Sequence, residues 1–159
     1  MNTLARIPLL CCSLFVFATS HAQQHVSASK LPAPVSAAFA KKFSDVKSVK
    51  WTKDGSDYQA DFNKEGKMTL ASFDDQGNWI RTGMQITAKE LPDAVTRAIE
   101  KFYHKYKVTA CAQVADSEHA SYYEVIAVRG SEILELHFDT TGGELEVGSE
   151  KDQDTKDND

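Results

Sequence analysis

Two stretches of this chain read alike, and their likeness limits the fold more than any other feature. Leu31-Pro32 opens the first and Leu91-Pro92 the second. Each runs from an apolar helical stretch into short strands and closes on Phe-Asp-x-x-Gly, at Phe73 to Gly77 and again at Phe138 to Gly142. The openings are 60 residues apart and the closings 65. The second copy therefore carries about five extra residues, most economically placed between its helix and its first well-marked strand.

Within the first copy, Val35, Ala38, Phe39 and Phe43 recur at steps of three and four, the period of one helical face, with the helix starting near Pro34. Glycines 55, 66 and 77 follow at intervals of 11, each behind a turn-forming residue, as hairpin corners do. Between them lie strands over Val46 to Trp51, Tyr58 to Phe62, Met68 to Phe73 and Trp79 to Thr82. The second copy opens at Ile86, where Thr87 and Glu90 have capping-box spacing and Ile86 can staple onto Leu91. Val95, Ala98, Ile99, Phe102 and Tyr106 then make an apolar stripe, and strands follow over Val108 to Val114, Ser121 to Val128, Glu132 to Phe138 and Glu144 to Val147. The fold expected is α+β: two tandem repeats of one helix plus a four-stranded antiparallel meander, with the helices packed on one face of the sheet.

Residues 1–22 have the form of a secretory signal. Arg6 is their only charge, Ile7 to Phe17 is apolar, and Ser20-His21-Ala22 places small residues at the cleavage positions. Residues 23–30 read as a spacer, 31–86 as the first repeat, 87–148 as the second, and 149–159 as an acidic tail without apolar residues to bury. Cys11 and Cys12 leave with the leader, so Cys111 has no partner for a disulfide; its apolar surroundings suggest a small buried side chain. Losing Arg6 leaves 17 basic against 23 acidic residues, a net of −6, and no clustered positive surface of the kind that holds phosphates. Nucleic acid is excluded as a partner, and a membrane span is not expected, because the leader's apolar run is about half the length a bilayer requires.

Catalysis has no visible seat. There is no Gly-x-Ser-x-Gly elbow, the mature chain has one cysteine, and the histidines show no His-x-x-x-His spacing. The acidic run from Asp152 lacks the turn glycine of a calcium loop. The reading is no enzyme, no cofactor and no metal. Placing the copies in register at Phe73 and Phe138 makes Tyr58, Ala60 and Phe62 equivalent to Tyr123, Val125 and Ala127, the helix-facing set. The other face then carries Tyr122, Glu124, Ile126 and Val128, joined by Ile133, Glu135 and His137 from the next strand. Apolar residues on a face expected to be wet suggest a partner-binding surface, on which Ile126→Asp should abolish capture without unfolding the chain. A slip of one residue would exchange the faces and turn the set into ordinary core.

Leu-Pro-x-x-Val at the helix starts, Val49-Lys50-Trp51, Tyr58-Gln59-Ala60-Asp61-Phe62 and Phe73-Asp74-Asp75-Gln76-Gly77-Asn78-Trp79 resemble the PepSY-like family of exported bacterial proteins, whose fold is similar to beta-lactamase-inhibitor protein. The resemblance spans roughly residues 31 to 147 and rests on caps, core aromatics and corners. It implies a periplasmic or extracellular protein whose sheet grips another protein, and no contact motif carries over. The function expected is a non-enzymatic protein- or peptide-binding module, with inhibition or modulation of an envelope enzyme as one form of it, acting as a monomer or weak homodimer. A self-assembling envelope protein and a small-ligand or ion sensor are the alternatives.

Overall fold

A computed structural model of the chain describes residues 24–146. The expected leader and the whole of the expected acidic tail lie outside them. The elements run β1 (Gln24–Val26), a 3-10 turn, α1 (Ala33–Lys42), β2 (Val49–Asp54), β3 (Asp57–Lys64), β4 (Lys67–Phe73) and β5 (Trp79–Ile86). A second 3-10 turn, α2 (Asp93–Phe102), β6 (Lys107–Asp116), β7 (Tyr122–Arg129) and β8 (Glu132–Phe138) follow. All eight strands form one antiparallel sheet in chain order.

This corrects the expected two repeats of one helix plus a four-stranded meander. β5 is one uninterrupted strand that pairs with β4 on one side and β6 on the other, so the halves share a single sheet. The residues expected to be a spacer supply β1, which pairs with β2. Among the described residues three strands follow α2, and beyond Gly143 a single bridge joins Glu144 to Phe138. The order strand, 3-10 turn, α-helix, three strands thus occurs twice. The α+β class holds, with two α-helices among the described residues.

Both helices begin at the Leu-Pro step for a local reason. Pro32 and Pro92 have φ of −55° and −57° and extended ψ, and their carbonyls accept the first helical hydrogen bonds, from the N–H groups of Ser36 and Thr96. The Thr87–Glu90 capping box is present, but it closes the 3-10 turn ahead of α2, since Pro92 separates the two. Val35 and Phe39 of α1, with Phe43 at its end, pack on Trp51, Tyr58, Ala60, Phe62 and Phe73. Val95 and Ile99 of α2 pack on Ile86, Cys111, Tyr123, Val125, Leu136 and Phe138. Register puts both cores on one face: Phe62 pairs with Thr69, Thr69 with Met84, Met84 with Gln113, Gln113 with Tyr123, and Tyr123 with Phe138.

Candidate functional site

The other face carries no helix, and strand pairing lays out its residues. Glu124 of β7 stands opposite His137 of β8, Ile126 opposite Glu135, and Val128 opposite Ile133. All seven residues singled out from the sequence therefore share the helix-free face, with Tyr123, Val125 and Ala127 turned to the helices. Their accessibility divides them. Tyr122, Glu124 and Ile126 are 1%, 4% and 2% exposed, whereas Val128, Ile133 and His137 are partly exposed and Glu135 is open to solvent. Ile126→Asp is accordingly a core change and not the surface change the sequence suggested; Ile133 offers the accessible apolar side chain.

On this face a charged pair forms around a buried carboxylate, the Glu124 side chain being 6% exposed and that of Arg81 27%. Arg81, on β5, stands opposite Asp116 of β6, whereas Glu124, on β7, stands opposite Ala112 of β6; the Arg81 side chain reaches diagonally over β6, and its Nη2 donates to Glu124 Oε1 at 2.6 Å. A carboxylate this deeply buried requires such a partner. The Tyr122 hydroxyl donates to the same oxygen at 3.5 Å, and burial pushes its own pKa up. His137 Nε2 lies 3.8 Å from Glu124 Oε1 and 3.4 Å from Glu135 Oε1. The Tyr122 ring is flanked edge-on by His119 at 5.6 Å and His137 at 6.0 Å. Asp116 Oδ1 anchors the loop carrying His119, accepting from the N–H groups of Glu118 and His119 at 2.8 and 2.6 Å. Leu145, whose N–H donates to His137 O at 2.8 Å, packs against Ala112, Val114 and Tyr122.

Arg81 and the convergence of Glu124, Glu135 and His137 were missed in the sequence. Spacing along the chain cannot show a contact 43 residues apart such as Arg81–Glu124. Glu135 and His137, two apart on one strand, were a visible signal, and the register that pairs Tyr123 with Phe138 also sets His137 opposite Glu124. On the helix side, an opening of about 320 Å³ between the two cores is floored by Thr69, Thr82, Met84 and Gln113.

A family model described as "Putative beta-lactamase-inhibitor-like, PepSY-like" matches residues 18–72 and 56–146. The chain belongs to the PepSY-like family. Among solved structures, this PepSY-like protein is similar to a DUF2874 family protein from Bacteroides uniformis, at 29% identity and a TM-score of 0.67, over 72% of this chain and 86% of that one. A BLIP-like protein from Bacteroides fragilis is 25% identical with a TM-score of 0.65, over 70% and 81% of the two chains. A "putative periplasmic" protein from Bacteroides eggerthii shares the fold, at 22% identity, a TM-score of 0.66, and 72% and 86% coverage. No curated protein matches the chain. Among the described residues, no helix is long and apolar enough to cross a membrane.

Proposed function

We propose that this PepSY-like protein is exported and works as a non-enzymatic protein-binding module, gripping another envelope protein with the β7–β8 half of its helix-free face. The observation that carries the reading is the Arg81–Glu124 pair, its carboxylate buried on that face, beside partly exposed Val128 and Ile133. A sheet whose second face only met water would have no use for a buried carboxylate there, since burying such a charge costs about as much as its ion pair returns. Prearranged polar groups next to accessible apolar ones are the anatomy of a binding surface. The matching partner presents an apolar side chain to Val128 and Ile133 and hydrogen-bonding groups to Glu135 and His137. The family's inhibitor-like description and the leader-like residues 1–22 agree with an envelope target.

Capture from an envelope extract of the source bacterium tests this, with the tagged protein run beside Ile133→Asp and, on the exposed side of α2, Glu100→Ala. The expected result is one protein retained by the unmutated chain and by Glu100→Ala, and lost with Ile133→Asp. Equal retention by all three contradicts it. Self-assembly draws support from one observation: β8 ends the sheet, and only the Phe138–Glu144 bridge and the Leu145 hydrogen bond lie beyond it among the described residues. Sedimentation of the purified chain as a dimer that Ile133→Asp dissociates would favour that second reading.

A further inference from the structure

Glu124, Glu135 and His137 each turn a donor atom to one point on the helix-free face, and those atoms lie within 4.8 Å of one another. We infer that they form a binding site for a divalent transition metal of the zinc class. The His137 Nε2 distances of 3.4 and 3.8 Å to the two carboxylates exceed an imidazole–carboxylate hydrogen bond of about 2.8 Å. The 3.4 Å between His137 and Glu135 fits ligands sharing one ion, since donors about 2.0–2.2 Å from tetrahedral zinc stand about 3.3–3.6 Å apart, and Glu124 Oε1 lies just beyond that spacing.

Three further features point the same way. All three side chains stem from two directly paired strands, so their backbones are fixed before any ion arrives. Glu124 is buried, and Arg81 and Tyr122 donate to its Oε1, so the carboxylate is held in place beside His137 with a second oxygen that a cation would take. Arg81 and the edge-on Tyr122 ring steady Glu124 and His137, as outer partners orient metal ligands elsewhere. The donor set decides the class of ion. One imidazole with two carboxylates suits zinc and its neighbours, whereas calcium and magnesium take oxygen ligands. Three protein ligands leave a fourth position towards solvent.

The inference does not rest on the partner reading, and its test contains no partner. Zinc is titrated into the purified protein against a chromophoric chelator at neutral pH, alongside Glu135→Gln, His137→Ala and the surface control His104→Ala. Circular dichroism checks each fold. We expect one zinc ion per chain, at least a tenfold weaker affinity in Glu135→Gln and in His137→Ala, no change in His104→Ala, and no competition from calcium. Absence of stoichiometric zinc binding, equal affinity in all four proteins, or calcium binding in preference to zinc would overturn it. Glu135 is exposed, so Glu135→Gln keeps the test valid should His137→Ala fold poorly.

Discussion

The Phe-Asp-x-x-Gly motif that marks both halves is explained atom by atom. Asp74 Oδ1 accepts from the N–H groups of Gln76 and Asn78, and Asp139 Oδ1 from those of Thr141 and Gly143, so the same side chain closes the same turn twice. The glycine then lies against the start of a helix. A Cβ on Gly77 would sit 2.5 Å from Pro34 O and one on Gly142 2.5 Å from Ala94 O, and both have φ above +80°. The motif is thus the joint between strand and helix, and its recurrence was readable because only glycine meets both demands. Gly142→Ala should cost about 2–4 kcal/mol through left-handed strain and the clash together. A urea midpoint unchanged from the parent would contradict that account. Cys111 was legible too: it is 2% exposed, and desolvation pushes its thiol up to about 11, away from the reactive range.

The strands were easier to find than their limits. Alternation along Tyr58 to Phe62 located β3, and placing the two copies in register gave the helix-facing residues of β7. It could not show that Ile126 is as buried on one face as Val125 is on the other, since burial depends on neighbouring strands. That difference has a measurable consequence. Ile126→Asp, placing a carboxylate at a buried position, should destabilise the fold by about 4 kcal/mol or more, and Ile133→Asp by about 1 kcal/mol. Equal urea midpoints for the two variants would contradict their placement. The turn before α2 gives a pH effect of defined sign. Hydrogen bonds from Lys67, foremost, and from Thr87 hold the Glu90 carboxyl at about 2, below its ordinary 4.5. A depressed carboxyl stabilises above the unfolded value and ceases to as pH falls through the folded one. The thermal midpoints of the parent and Lys67→Met should therefore differ above pH 4.5 and converge as the pH drops towards 2, and a gap independent of pH would speak against the link.

At the scale of the molecule, residue patterns gave the halves but not their junction. Trp79 to Ile86 contains both the last strand expected of one half and the stapling residue expected of the next. Only pairing on both edges reveals it as the middle of one sheet. The same limit hid the polar centre of the helix-free face, where Arg81 of β5 meets Glu124 of β7 across β6. The Leu-Pro openings and corner glycines act within a few residues and were visible; sheet continuity and ligand convergence act between strands and were not. The central claim, that the helix-free face is the working surface, is tested most directly by site-specific photocrosslinking in cells of the source bacterium. A benzophenone side chain is placed at Ile133 in one sample and at Glu100 in another. The account predicts a discrete adduct with a second protein from position 133 and none from 100; an adduct from 100 alone would contradict it.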